Sequence, residues 1–262
     1  ERAFEITNQY NEALELLDDP EEVIRVIRLN LETGRRALQS MASGPAARYL
    51  RTGMQLLPEE HWKTHYDLSL DLYTRACDAE SYNAEYEESD RIAEIIKKEA
   101  RSALDRMQAY LVQVRARNSM NLLAESLELA RETLAELGLK MPARPGWVLH
   151  IGPALIRSLF MIALRGGSRK VLNFPPNDDP RLNGAKALMT QVSSTAYQNN
   201  FEFFALMVLR MTYLTYRHGN TSYAPYSLSL YAVAWSLVLQ RFGIADHFGQ
   251  LAIDLAKDPR YR

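Results

Sequence analysis

The sequence has few cysteines and no excess of charge of either sign. Cys77 is the single cysteine among 262 residues, which excludes an internal disulfide. Its neighbours Leu72, Tyr73 and Ala76 are apolar, so we expect Cys77 to be a small buried residue of a reducing, cytoplasmic compartment. The 31 basic residues nearly balance the 32 acidic ones, and nucleic acid is therefore not an expected partner.

A secretory signal and a long apolar run are also missing. Residues 1–6 are charged and helical in pattern, unlike a signal peptide. The most apolar stretch, residues 147–164, is interrupted by His150, Pro153 and Arg157, so we expect no membrane-spanning helix of ~20 apolar residues and no membrane contact. The chain begins without methionine and inside a helical pattern, and we expect it to be a piece of a longer protein.

Helical periodicity is abundant instead. The chain is 47% hydrophobic, enough to bury a core, and its apolar residues recur at helical spacing with no sustained alternation. Breaks such as Asp18-Asp19-Pro20 end one helix and begin the next. Further helices are predicted near residues 45–57, 59–82, 85–99, 101–118 and 121–137. The pattern predicts an all-α chain of closely spaced antiparallel hairpins.

A repeat is visible in small or apolar residues spaced four and then three along one helix of each hairpin, where close packing leaves little room. Neighbouring units start roughly 37 to 43 residues apart, longer than the ~34 of a tetratricopeptide repeat, except that the gap between the units at 126 and 205 is about two units wide. Five segments fit the spacing: Ala46, Leu50 and Gly53; Ser89, Ala93 and Ile96; Ser126, Ala130 and Thr133; Ala205, Leu209 and Thr212; Ala245, Gly249 and Ala252.

Residues 142–184 interrupt the repeat with a local concentration of proline and glycine. Residues 148–164 within this segment still have a helical pattern, so an atypical hairpin is expected there. We predict a single helical-repeat domain over residues 1–262, with a possible sub-boundary within 142–184. After this segment, residues 201–213 and 228–242 are apolar on most sides, which predicts deeply buried helices or an interface.

The sequence contains only weak motifs for a phosphate-binding, metal or catalytic site. Gly166-Gly167-Ser168-Arg169-Lys170 lacks the spacing and the preceding strand of a phosphate-binding loop, and a flexible loop is the preferred interpretation. His61 and His65 are four residues apart and could share a helix face as metal ligands, but they lack the glutamate of a metalloprotease helix and an obvious third ligand. The sequence therefore predicts no catalytic residue, no metal site and no cofactor-binding residue.

Other polar clusters have structural explanations. The acidic run of residues 85–90 suits a helix N-terminus, and Asn177-Asp178-Asp179 before Pro180 suits an N-cap. Two sets of side chains could have either a structural role or a role in an interface. They are the tyrosines of the last third of the chain and the basic residues around the irregular segment. The tyrosines are Tyr197, Tyr213, Tyr216, Tyr223, Tyr226 and Tyr231, and the basic residues are Arg157, Arg165, Arg169, Lys170 and Arg181.

Several stretches resemble a known family. The stretches are residues 49–58 (YLRTGMQLLP), 59–62 (EEHW), 66–73 (YDLSLDLY), Ala79-Glu80 and 83–86 (NAEY), with echoes at 218–220 (HGN) and 248–252 (FGQLA). They resemble the tetratricopeptide-like helical region of large multidomain signalling kinases. There a serine/threonine-kinase-like domain and a P-loop signal-transduction ATPase precede the repeats, and a GAF sensor and often a histidine kinase follow. Gly44-Pro45 and a shortened segment near Gly243 depart from the pattern, and the resemblance transfers no catalytic residue to this chain.

The sequence thus predicts a tetratricopeptide-like superhelix that acts as a non-catalytic interaction and coupling segment. Its expected partner is a peptide or a neighbouring domain of the same chain, and its parent an ATP-dependent protein kinase. The alternative is an enzymatic or small-ligand-binding helical domain with a pocket between residues 142–184 and the C-terminal hairpins. A concave groove with polar side chains favours the first interpretation, and a closed apolar pocket with convergent polar groups favours the second.

Overall fold

Helices fill the chain as the periodicity predicts. A computed structural model describes residues 2–261, apart from the side chain of Ala3. Of the chain so described, 80% is helical and no residue belongs to a β-strand. The all-α prediction is therefore confirmed. The chain divides into two compact units, Glu1–Ala116 and Arg117–Arg262.

The helices of the first unit match the predicted bounds within a few residues. Asp19 caps α2 through its carboxylate, which accepts a hydrogen bond from the Glu21 N–H at 3.0 Å, and Pro20 occupies the first helical position. The predicted helix 59–82 is split, because His65 has a non-helical backbone (φ −132°, ψ 44°). The helices are α1 Arg2–Glu12, α2 Pro20–Gln39, α3 Ser43–Gln55, α4 His61–Thr64, α5 Tyr66–Tyr82, α6 Tyr86–Glu99 and α7 Ala103–Ser119.

Helices that are close in sequence pack against each other in this unit: α2 with α3, α3 with α5, and α5 with α6. Their shared core is aliphatic and contains the fully buried Ile27, Leu50, Leu72 and Ile96. Cys77 belongs to this core, as predicted, and its burial raises the pKa of the thiol to about 12.

Gly34 permits the close approach of α2 and α3. A Cβ at this position would lie 2.6 Å from Leu50 Cγ. We expect Gly34→Ala to destabilise the chain by about 1–2 kcal/mol, because overpacking outweighs the helix propensity of alanine, which is worth ~1 kcal/mol. Urea unfolding checks this. The matched control is Gly249→Ala in α14, where a Cβ would meet nothing within 4 Å and stability should rise. Equal effects of the two substitutions would refute the close contact.

The second unit begins inside α7 and contains the irregular segment. Its helices are α8 Leu123–Glu136, α9 Gly152–Leu164, α10 Pro180–Gln191, α11 Ser193–Asn199, α12 Phe201–His218, α13 Ala224–Leu237 and α14 Phe242–Lys257. A π-helical turn, Trp147–Ile151, leads directly into α9, and a 3₁₀ helix, Ser168–Asn173, follows it. The predicted helical stretch 228–242 instead ends at Leu237, and α14 begins at Phe242.

The division at residues 116/117 lies outside the segment 142–184, where the sequence placed a possible sub-boundary. Elements on the two sides of that segment also contact each other. Helix α8 packs against α10 and α11, and Thr195 donates a hydrogen bond to Asn118 Oδ1 at 2.8 Å. Proline and glycine therefore interrupt the helices of the second unit without ending its core.

The predicted packing spacing holds in four of the five segments. All three residues are buried in each of these four segments, which are 46, 50 and 53; 89, 93 and 96; 126, 130 and 133; and 205, 209 and 212. The fifth segment is wrong in part: Ala252 is buried, but Ala245 and Gly249 are not, and open space surrounds Gly249. Helix α14 instead buries Phe248, Leu251, Ala252 and Leu255. The loop before Phe242 shifts the register of this last hairpin.

The His218-Gly219-Asn220 stretch has a structural role. Gly219 has a φ of +101°, and a Cβ there would lie 3.1 Å from the Pro175 carbonyl oxygen. The buried Asn220 amide donates to the Val171 carbonyl at 2.7 Å and to the Tyr261 hydroxyl at 3.3 Å. This corner fixes the irregular segment against the end of α12.

Candidate functional site

The weak motifs of the sequence make contacts with other side chains in the described structure. His61 lies in α4 and His65 beyond its end, and His61 Nδ1 is 2.9 Å from the Ser69 hydroxyl while its ring stacks on Tyr73. Burial lowers the pKa of His61. No three residues among His, Cys, Asp and Glu come together as metal ligands in residues 2–261.

The glycine loop 166–170 leads into a short 3₁₀ helix rather than an α-helix, and its serine is engaged elsewhere. The Ser168 hydroxyl lies 2.7 Å from His247 Nε2, and the Ser168 carbonyl accepts a hydrogen bond from Tyr216 at 2.8 Å. Asp179 caps α10 by accepting from the Arg181 N–H, which confirms the N-cap prediction for this segment. The acidic run likewise opens α6, with Glu87 and Glu88 in its first turn.

A concave groove lies between α12 and the helical stretch formed by the π-turn and α9. We call it the arginine groove. Its cavity volume is about 430 Å³. Its apolar lining consists of leucines, a proline and an alanine, and its polar lining residues are His150, Arg157, Arg210, Tyr213, Arg217 and His218. Within the described residues, no acidic side chain lines it.

Helical spacing places these side chains on facing surfaces. Arg210, Tyr213 and Arg217 are three and four residues apart, so they share one face of α12. Leu149, Pro153 and Arg157 are each four residues apart and line the opposite wall. Helix α9 packs against α12 through the side that buries Ser158 and Ile162.

Tyr213 organises two of the arginines. Arg217 Nη1 donates to the Tyr213 hydroxyl at 2.8 Å and Arg157 Nη2 at 3.4 Å. The Arg157 guanidinium also lies 4.7 Å from the centre of the tyrosine ring. Although burial raises the pKa of Tyr213, the hydrogen bonds from Arg217 and Arg157 more than offset it, and the pKa falls below its usual value. The Tyr213 hydroxyl thereby holds two guanidinium groups that come from opposite walls of the groove, Arg157 from α9 and Arg217 from α12.

Arg210 is the third arginine and the most unusual. It is partly buried, and burial together with the positive charge of Arg157 lowers its pKa. No carboxylate of residues 2–261 lies within salt-bridge distance of Arg157, Arg210 or Arg217. Three positive charges therefore converge on a concave surface, and residues 2–261 supply no carboxylate that pairs with them, an arrangement that attracts an anion.

Both histidines lie at this surface as well. Burial lowers the pKa of His218, and the positive charges of Arg217 and Lys186 add to this effect. His150 Nδ1 accepts a hydrogen bond from the Gly146 N–H at 3.1 Å.

The sequence identified only part of this site. Of the five basic residues noted around the irregular segment, Arg157 lines the groove, whereas the Arg165 guanidinium lies 4.6 Å from the centre of the Phe174 ring. Arg210 and Arg217 were missed, although their spacing around Tyr213 was a usable signal. Among the tyrosines, Tyr216 and Tyr231 are fully buried, Tyr213 lies in the groove, and Tyr197 is 46% exposed.

A second, smaller cavity is apolar. It lies between the π-turn, α9, α12 and α13, and its lining includes Trp147, Leu155 and Trp235. Its volume of about 40 Å³ is far below the ~300–1,000 Å³ of a small-molecule site. The closed apolar pocket that would favour a small ligand is therefore too small here.

Residues 147–164 form a helical stretch of 18 residues with a mean hydropathy of 1.7. Only 17% of this stretch is buried. By length and composition it could cross a membrane, contrary to the expectation that it is too short and too polar. Pro153 does not break it, because proline is tolerated in the first turn of α9. Helices in soluble cores reach the same length and composition, so this observation alone assigns no membrane contact. Its outward side exposes Ile156 and Phe160.

Comparison with known proteins gives one distant relative. No protein-family model and no solved structure matches the chain. The chain is 23% identical over 284 aligned positions to hybrid signal transduction histidine kinase G of Dictyostelium discoideum. The alignment covers 96% of this chain and 8% of that protein, so the chain spans a small part of its relative. The likeness confirms a distant similarity to a signalling histidine kinase, while the repeat class and the other modules stay predictions.

Proposed function

We propose that this chain is a non-catalytic interaction and regulatory coupling segment of a large cytoplasmic ATPase/kinase signalling protein. In this proposal, tetratricopeptide-like hairpins present the arginine groove to a peptide or a neighbouring domain of the same polypeptide. The parent is an ATP-dependent serine/threonine or histidine kinase, and this segment itself holds no cofactor. The distant similarity to a hybrid histidine kinase supports the signalling context.

The observation that carries the proposal is the arginine groove. Its lining combines guanidinium groups with leucines, which is the combination that a peptide with acidic and apolar side chains fits. Occupancy would alter the contact between α9 and α12, because the groove is formed by both helices. That gives a route by which binding changes the packing of the second unit.

Calorimetry with Mg-ATP tests the non-catalytic part. Phosphate chemistry needs backbone N–H groups, a lysine and a metal-holding side chain in one place. Loop 166–170, the nearest candidate in sequence, supplies two glycines and Lys170, and Lys170 lies within a 3₁₀ helix rather than at the start of an α-helix. We expect no heat of binding above background, and none that depends on Lys170. Micromolar binding lost in Lys170→Ala would contradict the proposal.

Binding of a small anionic ligand is a second candidate. The groove volume of about 430 Å³ lies within the range of small-molecule sites, and this observation favours it. Saturable binding of a small anion, with no binding of any anionic peptide, would establish this candidate over the first.

A further inference from the structure

We infer that the arginine groove recognises a phosphorylated side chain on a peptide with apolar flanking residues. This inference rests on the proposed docking function and specifies its ligand. It follows from three observations: the number of guanidinium groups without a carboxylate partner in the described residues, the arrangement of two of them around Tyr213, and the apolar side chains in the rest of the groove.

Charge balance favours a doubly charged group. Three arginines line the groove, and no carboxylate of the described residues pairs with them. A carboxylate side chain brings one negative charge, whereas a phosphoryl group brings ~1.5–2 and three acceptor oxygens. A phosphoryl group therefore offers the three guanidinium groups more negative charge and more acceptor oxygens than a carboxylate does.

The geometry of the arginines is suited to such a group. Arg157 and Arg217 are held from opposite walls by the Tyr213 hydroxyl, so they lose little freedom when an anion arrives. Arg210 has no hydrogen-bond partner in the described chain, which leaves its five N–H donors for a ligand. Partial burial of Arg210 strengthens its interaction with a negative charge, because the local dielectric constant is lower than in water.

The apolar lining distinguishes a peptide from free phosphate. A phosphate ion alone would leave most of a cavity of about 430 Å³ unfilled. On the wall that faces the arginines of α12, Leu149 is 79% exposed and Pro153 is exposed as well. These surfaces suit apolar side chains on either side of the phosphorylated residue.

The test is fluorescence anisotropy with this chain and three labelled peptides that carry phosphoserine, aspartate or serine between leucines. We expect the phosphoserine peptide to bind at least about tenfold more tightly than the other two, with affinity falling as salt rises. Arg210→Met should weaken its binding about tenfold or more, and Arg210→Lys should retain part of it. Arg241→Met is the matched control, because Arg241 is exposed and lies outside the groove. Its effect should stay within about twofold.

Three other outcomes would contradict the inference, and each leaves a different part of the proposal standing or refuted. Equal affinity for the phosphoserine and aspartate peptides would remove the phosphoryl selectivity and leave docking of acidic peptides standing. Inorganic phosphate that competes as strongly as the peptide would remove the peptide and leave an anion site. Failure of all three peptides to bind, or an unchanged affinity in Arg210→Met with an unaltered circular dichroism melt, would refute both the inference and the docking role of the groove.

Discussion

Lys186→Met is expected to stabilise the protein by about 3–5 kcal/mol at pH 7. Most single substitutions destabilise a protein, and few change its stability by this much. Lys186 in α10 is completely buried, and its ammonium group donates one hydrogen bond, to Thr215 Oγ1 at 2.7 Å. Burial lowers its pKa from 10.5 to about 7. Methionine has a similar length and needs no solvation, and Thr215 keeps its own hydrogen bond to the Met211 carbonyl.

The pH dependence of this gain has a definite direction. Between pH 7 and 10.5 the unfolded chain holds a proton on Lys186 that the folded chain mostly lacks, so parent stability rises with pH across this window. Below about pH 7 both states are protonated and the cost of the buried lysine is at its maximum. The advantage of Lys186→Met should therefore be largest below pH 7 and should shrink towards pH 10.5.

Urea unfolding of the parent and the variant at pH 6.5 and 10 measures this difference. Lys257→Met serves as the control, because Lys257 is exposed near the end of α14. We expect the control to change stability by less than about 0.5 kcal/mol at either pH. A pH-independent gain, or destabilisation of the chain by Lys186→Met at pH 7, would show that Lys186 is not held in an apolar, unpaired setting.

Arg51→Met should have a large effect of the opposite sign, destabilising the first unit by about 2–3 kcal/mol. Glu80 is fully buried, and both its carboxylate oxygens accept from Arg51, from Nε and Nη2 at 2.8 Å each. Removal of the guanidinium leaves the carboxylate without this bidentate partner. The expected loss lies below the upper range for buried pairs, because the Arg51 side chain is 49% exposed.

The control is Arg91→Met. Arg91 forms a similar fork with Glu88, but both side chains are partly exposed, so the loss should be below about 1 kcal/mol. The double variant Arg51→Met with Glu80→Met should recover part of the stability lost in Arg51→Met, since it buries no lone charge. Equal losses in Arg51→Met and Arg91→Met would mean that burial of Glu80 does not matter.

Local periodicity predicted the helices and most of their packing. The bounds of α3, α6 and α8 follow from spacing and breaks along the chain, since these signals act within a few residues. The last hairpin was misplaced, because the small residues Ala245 and Gly249 satisfy the spacing yet are only partly buried, and a Cβ at Gly249 would meet nothing within 4 Å. The spacing marks residues that could pack closely against another helix, but it does not show whether a helix lies against them.

The assembly of the groove from two helices and the burial of Lys186 could not be predicted from the sequence, for a related reason. Arg157 meets Tyr213 across 56 residues, a pairing that is set by how α9 packs on α12. Lys186 lies in a helix with little amphipathic character, where a lysine is ordinarily taken as solvent-exposed. The fold decides both environments, and no local pattern records them.

The coupling role is best tested by the rate of autophosphorylation of the complete signalling polypeptide that we propose contains this chain. Parent, Arg210→Met and Arg241→Met forms would be compared at equal amounts of folded protein. We predict that Arg210→Met changes the rate about fivefold or more, whereas Arg241→Met leaves it unchanged. Identical rates in all three would contradict the coupling role of the arginine groove.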